Sequence, residues 1–210
     1  MKRIDKENYY LDIAETVLER STCLRRCYGA IIVKNDEIVS TGYNGAPRGR
    51  KNCMDLGYCT REAMNVPSGE RYELCRSVHA EMNAIISAAR RDTLGATLYL
   101  AGREAKSGEL LHDATSCSMC RRLIINAGID TVVTRNRQGV IRAVPVQQWV
   151  EEDDSIAAAP PAAQRQPGRG NAGGSLRQCL RKPSGPWQRR HAAGHPSRPA
   201  DGPKLRWHCQ

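Results

Sequence analysis

Two short stretches hold residues that can do chemistry together: His79-Ala80-Glu81 and Cys117-Ser118-Met119-Cys120. Imidazole and thiolate suit a borderline-soft ion such as Zn²⁺, which takes four tetrahedral partners and keeps one of them for water when it is catalytic. One His and two Cys supply three protein ligands and leave that fourth position open. Glu81, two residues beyond His79, is then not needed as a ligand. It is placed to carry the proton that an activated water loses. The pattern therefore asks for one catalytic zinc held by His79, Cys117 and Cys120, with Glu81 as the catalytic carboxylate. The competing reading, a structural zinc, prefers four protein ligands.

These residues need elements to hold them. His79 to Arg91 has helical periodicity, with Ala84, Ile85, Ala88 and Ala89 available for burial and Gly95 as a stop. Cys117 to Ala127 reads as another helix, with Ser116 as its N-cap and Gly128 closing it. An earlier helix is expected over Lys6 to Arg20, where Tyr9, Tyr10, Ile13, Ala14, Val17 and Leu18 recur at helical spacing. Tyr28–Val33 and Ile38–Tyr43 read as strands joined by Lys34-Asn35-Asp36-Glu37, a hairpin. Further strands are expected at Thr97–Ala101, Thr131–Thr134 and Val140–Val144, then a turn or short helix over Pro145–Val150. The last two strands are joined by Asn136-Arg137-Gln138-Gly139. A parallel pair needs a crossover of a dozen or more residues, so these two are antiparallel. The order predicts an α/β protein with a mixed five-stranded sheet and helices on both faces.

Two segments do not fit that rhythm. Asn44 to about Tyr72 lacks sustained periodicity and is long for a loop, a length that implies function, disorder or a tether; Cys53, Cys59 and Cys75 lie in or just beyond it. Gly102–Thr115 is polar, with a turn at Lys106-Ser107-Gly108-Glu109. It is a candidate flap over the pocket or an oligomer contact.

The chain has a formal net charge of +10, which would suggest nucleic acid if the charge were spread evenly. Residues 155–210 hold ten Lys and Arg against Asp201 alone, so about +9 belongs there and residues 1–154 are nearly neutral. Eight of the eleven Pro lie in the same stretch, whose Ile, Leu and Val are only Ile156, Leu176, Leu180 and Leu205. Such a segment buries too little apolar surface to offset its ordering entropy. The chain is therefore divided into 1–154, folded, and 155–210, a disordered basic tail. Three readings of the tail stay open: a bland extension, out-of-frame translation of GC-rich DNA, or a nucleic-acid-binding arm in which Trp187, Trp207, His191 and His195 stack on bases. Met1 to Tyr10 is charged and polar, unlike a signal peptide, and no run approaches the ~18 apolar residues of a membrane span. The expectation is a soluble cytoplasmic protein whose nine Cys are thiols or metal ligands rather than disulfides.

His79-x-Glu81 and Cys117-x-x-Cys120 match the zinc deaminase signature H-x-E…P-C-x-x-C, with Ser116 in place of its Pro. The likeness extends to Arg20-Ser21-Thr22-Cys23-Leu24-Arg25-Arg26, Gly29-Ala30, Ser40-Thr41-Gly42-Tyr43-Asn44-Gly45-Ala46-Pro47-Arg48-Gly49, His79-Ala80-Glu81-Met82-Asn83-Ala84-Ile85 and Ile124-Ile125-Asn126-Ala127-Gly128-Ile129. In these motifs the chain, over about residues 6–135, resembles the deoxycytidylate (dCMP) deaminase family, including the bacterial competence-operon deaminase group. The resemblance implies the cytidine-deaminase fold, a three-layer αβα arrangement, one catalytic zinc and hydrolytic deamination of dCMP to dUMP. It implies that Glu81 takes a proton from water, delivers it to ring N3 and later helps ammonia leave. It assigns Asn44 to the nucleotide sugar. Phosphate needs cationic or N–H partners, and Arg26 and Arg48 are the first candidates, with Arg25 and Arg50 nearby. Their competing reading is solvated surface Arg. Some relatives carry a second, non-catalytic zinc; Cys23 and Cys53 match its positions, and Cys59 and Cys75 would complete the set, the alternative being four unrelated thiols. Homo-oligomers and regulation by dCTP and dTTP are usual in the family.

Three departures bear on these expectations. Ser116 replaces a Pro that contributes no ligand, so metal binding should survive. Gly102–Thr115 is longer than the usual link. The tight turn after the fourth strand is closer to the free-nucleoside cytidine deaminases. The alternatives are therefore another cytidine-type substrate, an adenosine in tRNA, or a non-catalytic zinc-stabilised nucleotide-binding protein. An RNA substrate would need a basic channel, which the near-neutral body lacks unless the tail supplies it. The intact Glu81 speaks against a pure binder.

Overall fold

The computed structural model describes residues 3–152. The expected division at residue 155, the disordered basic tail and its base-stacking reading lie outside the described residues. The elements run α1 (Lys6–Leu18), β1 (Arg26–Lys34), β2 (Glu37–Tyr43), α2 (Cys53–Leu56), α3 (Thr60–Ala63), a 3₁₀ turn (Tyr72–Leu74), α4 (Ala80–Ser87), α5 (Arg90–Thr93), β3 (Thr97–Glu104), α6 (Ser118–Ala127), β4 (Thr131–Arg135), β5 (Ile141–Pro145) and α7 (Val146–Glu151).

The five strands form one sheet in the order β2-β1-β3-β4-β5. Only β3 and β4 are parallel, joined through α6, and the other neighbours are antiparallel. The β1–β2 turn places Asn35 and Asp36 at φ 52° and 64°, the left-handed pair that matches hairpin twist. The β4–β5 connection is tight, with Asn136 N–H donating to the Val140 carbonyl at 3.0 Å. Side chains alternate between the faces of the sheet. Ala30, Ile32, Leu98, Leu100 and Val132 pack with Ala84 of α4 and Ile124 of α6. Ile31, Val33, Tyr99 and Val133 pack with Leu11 and Ala14 of α1. Helices thus cover both faces, as the pattern predicts.

Two glycines let the helices sit this close. A Cβ at Gly29 would fall 2.2 Å from the Ala14 carbonyl oxygen of α1, and a Cβ at Gly42 would fall 2.3 Å from both the Ala80 carbonyl oxygen and the Ala84 nitrogen of α4. The second contact matters most here, because α4 begins immediately after His79.

Several expectations need correction. α4 does not run to Arg91: it ends at Ser87, and Ala88 is extended at φ −99°, ψ 153°. The chain turns there to meet the end of α6, where Thr93 Oγ donates to the Ala127 carbonyl at 2.7 Å and Gly95 N–H to the Gly128 carbonyl at 2.7 Å. The N-cap of α6 is Cys117, not Ser116. β3 continues past Ala101 to Glu104, because Gly102, Arg103 and Glu104 pair with Tyr28, Cys27 and Arg26 of β1. The segment 44–72 is not structureless. Asn52 N–H donates to Asp55 Oδ2 at 2.8 Å at the start of α2, and Gly57, at φ 75°, closes it. The segment 102–115 folds back on β3, with Glu104 N–H donating to the Glu109 carbonyl and Leu111 N–H to the Gly102 carbonyl, both at 2.9 Å. Among the described residues no helix is long and apolar enough to cross a membrane.

Gly42→Ala should cost on the order of 3 kcal/mol, because backbone rather than a flexible side chain must move to admit the methyl group. Urea unfolding of the purified variant measures this, and a loss below about 0.5 kcal/mol would contradict the close packing of α4 on β2.

Candidate active site

Two helix starts meet beside the sheet. His79 is the N-cap of α4 and Cys117 the N-cap of α6, and neither side chain makes the capping hydrogen bond. Both are therefore available to each other. Cys120, in the first turn of α6, is fully buried. Nδ1 of His79 lies 3.4 Å from Cys117 Sγ and 3.3 Å from Cys120 Sγ. The donor atoms of this trio lie within 4.8 Å of one another, the one such group among the described residues. Zinc bond lengths with tetrahedral angles put neighbouring N and S donors about 3.6 Å apart. One imidazole and two thiols at this spacing fit a zinc ion with little movement.

The electrostatics prepare the donors unequally. The hydrogen bond with Cys120, helped by His79, holds the Cys117 thiol down at about 4 against its burial. The shared hydrogen bond and burial push Cys120 the other way. Burial disfavours a charged His79, but hydrogen bonds with Cys117 and Cys75 outweigh it and raise the imidazole to about 10. Zinc takes thiolates and a neutral imidazole, so its binding releases protons from this trio.

Glu81 is 4% exposed. Burial pushes its carboxyl up, against the pull of its own backbone N–H and of His79. A carboxyl raised in this way holds a proton more readily than a free one, which suits it to proton transfer. Glu81, His79 and Cys117 line a cavity whose wall includes Asn44, Tyr28, Thr115 and Tyr72. Tyr72 meets the His79 ring edge-on, with centroids 5.3 Å apart. Burial raises the Tyr28 phenol to about 12.

Asn44 is buried and already busy. Its Oδ1 accepts from Tyr28 N–H at 2.8 Å and Ser21 Oγ–H at 2.6 Å, and its Nδ2 donates to the Arg26 carbonyl at 2.8 Å. The side chain thereby fixes the start of β1 against the loop after β2. Arg25 and Arg26 line the cavity, paired with Glu62 at 3.1 Å and Glu104 at 3.0 Å. Arg48 and Arg50 are exposed and are not part of the lining.

A family model described as the cytidine and deoxycytidylate deaminase zinc-binding region matches residues 4–136. The chain belongs to this deaminase family. Similar proteins include the deoxycytidylate deaminase of Mycobacterium phage D29, 38% identical over 63% of this chain and 96% of the relative. That of Schizosaccharomyces pombe is 32% identical over 71% of this chain and 46% of the relative. ComE operon protein 2 of Bacillus subtilis is 31% identical over 63% of this chain and 60% of the relative. The chain thus spans nearly all of the phage relative and about half of the yeast one. Among solved structures, the apo dCMP deaminase of cyanophage S-TIM5 aligns with a TM-score of 0.44 at 26% identity, over 64% of this chain and 86% of that one.

The matched region contains the zinc trio and Glu81. It also contains the four other thiols singled out above. Cys23, Cys59 and Cys75 line the same cavity. Burial raises Cys53 and Cys23, and the neighbouring thiols add to the effect in both cases. Among the described residues no three of these four sulfurs lie within ligand distance of one another. Arg61, Ser68 and Tyr72 also line the cavity and were not legible in advance. Their one signal is position: they fall between Cys59 and Cys75, the thiols that bring the aperiodic segment to the site.

Asn44→Ala leaves the Tyr28 N–H and the Arg26 carbonyl without their partner, and is expected to cost on the order of 2 kcal/mol. Denaturant unfolding tests this, and unchanged stability would mean that the tie to β1 is dispensable.

Proposed function

We propose that the chain is a zinc-dependent hydrolase that deaminates dCMP to dUMP. The observation that carries the reading is the convergence of His79, Cys117 and Cys120 on one point, with a buried Glu81 beside them. A zinc ion bound there supplies a Lewis acid that makes water nucleophilic at neutral pH. The chain's own residues do the rest. Glu81 accepts the proton that water gives up when oxygen bonds to C4. It passes that proton to ring N3 and then assists departure of the amino group as ammonia. Burial, which raises the Glu81 carboxyl, suits it to both directions of transfer. Asn44, already anchored to β1, presents its remaining amide hydrogen toward the sugar, and Arg26 stands at the phosphate end of the cavity. Arg48, an equal candidate from the sequence, is exposed and takes no part in this arrangement.

A second, structural zinc held by Cys23, Cys53, Cys59 and Cys75 belongs to the same reading. The long segment that such an ion would clip in place supports it, and binding would have to draw the four sulfurs together. Residues 1–154 then constitute the deaminase domain of a cytoplasmic homo-oligomer in pyrimidine nucleotide metabolism, with dCTP and dTTP as effectors. A nucleoside substrate is the second reading, favoured by the short β4–β5 hairpin.

Ammonia release from the purified, zinc-loaded chain, given dCMP, deoxycytidine, cytidine and dCTP in parallel, separates these readings. Turnover of dCMP that falls by about 10³-fold in Glu81→Gln is expected. Turnover of nucleosides alone would replace dCMP with the second reading. Metal analysis should give two zinc ions per chain in the wild type and one in Cys59→Ser; one in both would remove the structural zinc.

A further inference from the structure

The cavity holds three arginines, and they are not alike. Arg25 and Arg26 each have a carboxylate. Arg61 makes no ion pair among the described residues, although it is 6% exposed; Glu73, a carboxylate that feels its charge, is exposed and paired with Arg71. A guanidinium removed from water without a counter-charge is costly, so its retention points to an anion that belongs beside it.

The hydrogen bonds sharpen the point. Nη2 of Arg61 donates to the Pro67 carbonyl at 2.9 Å and to the Glu70 carbonyl. That edge of the fork closes the loop. Nε is sealed from solvent without an acceptor, and Nη1 makes no hydrogen bond to the described residues. A loop clip explains Nη2 and leaves the charge and the other two nitrogens unexplained. Nε and Nη1 lie on different edges of the guanidinium, so each can give an anion one charge-assisted hydrogen bond.

Position names the phosphate. The Arg61 guanidinium carbon sits 4.6 Å from the Tyr72 ring centre, and that ring meets His79 edge-on at 5.3 Å. One aromatic ring therefore separates the cation from the metal-binding imidazole. In a nucleotide, one sugar ring separates the base from the 5′-phosphate.

We propose that Arg61 is the residue that reads the 5′-phosphate of the substrate. Its guanidinium binds that phosphate while the cytosine lies at His79, Cys117 and Glu81. Arg25, Arg26 and Ser68 complete the wall around it. The inference rests on the dCMP reading above and deepens it, because it assigns the choice of nucleotide over nucleoside to a residue outside the expected set of Arg26 and Arg48.

The test compares wild type, Arg61→Gln and Arg61→Lys as full-length zinc-loaded chains, with dCMP and deoxycytidine as substrates. Arg61→Gln should raise the KM for dCMP by about 100-fold, as loss of a charged hydrogen-bond pair would, with a much smaller change in kcat. Its preference for dCMP over deoxycytidine should collapse by the same factor, and Arg61→Lys should recover part of it. Equal losses on both substrates would overturn the proposal and reduce Arg61 to a loop clip. If Arg61→Gln does not fold, Arg61→Lys, which keeps the charge but moves it onto a single ammonium, carries the same comparison. If the wild type deaminates neither compound, the deamination reading falls. Calorimetry with dCMP and inorganic phosphate then decides separately for Arg61. Weaker binding by the variant sustains the phosphate site, and no binding by the wild type overturns it.

Discussion

The structure depends on bringing two helix starts to one point. Zinc ligation tolerates errors of only a few tenths of an ångström, yet His79 and the two Cys come from helices separated by a strand. The sheet solves this geometrically. β3 and β4 are parallel, so the crossover through α6 lays that helix on the same face as α4. Gly42 then lets α4 approach β2 until backbone meets backbone, which leaves it little freedom to slide. His79 and Cys117 occupy the N-cap positions, where side chains normally satisfy free helix N–H groups. Here they turn to each other instead, and the cost is accepted because the ligands must point away from their helices.

The same burial that fixes the ligands sets their chemistry. Glu81 and Cys120 are both driven toward their neutral forms by loss of water, while Cys117 is drawn to its thiolate by the hydrogen bonds around it. Cys75 adds to the effect from the far side, since its hydrogen bond to His79 helps to keep that imidazole charged.

Much of this was readable from local pattern. The hairpin, the antiparallel last pair and the two-sided helix packing follow from period-2 and helical spacing and from loop lengths too short for a crossover. The metal trio and Glu81 follow from ligand type and spacing. What failed was governed by contacts distant in sequence. Ser87 ends α4 because Thr93 and Gly95 must reach the end of α6, and nothing local to Ala88 announces it. β3 outlasts its apolar run because Arg26 waits opposite Glu104. Ser116 had the chemistry of an N-cap, but Cys117 took the place as the helix turned its first thiol toward His79. Arg61 was hidden for a different reason. It lies in a stretch with no periodicity, and a buried arginine is recognised only by what surrounds it.

The site has two halves that owe their rigidity to different things. The metal half is fixed by the sheet, by Gly42 and by two helices, so its chemistry is a property of the fold. The opposite wall comes from residues 53–75, which have no strand and no helix longer than a single turn. That wall is held instead by point contacts: the Asn52–Asp55 cap and the grip of Arg61 on the Pro67 and Glu70 carbonyls. Local stability is lowest where apolar contacts are few, and such a wall can change its residues without disturbing the sheet. The physical division is thus also a functional one. On the proposed reading, proton transfer and metal binding belong to the scaffold, while selection among cytosine compounds belongs to a segment that the scaffold merely frames.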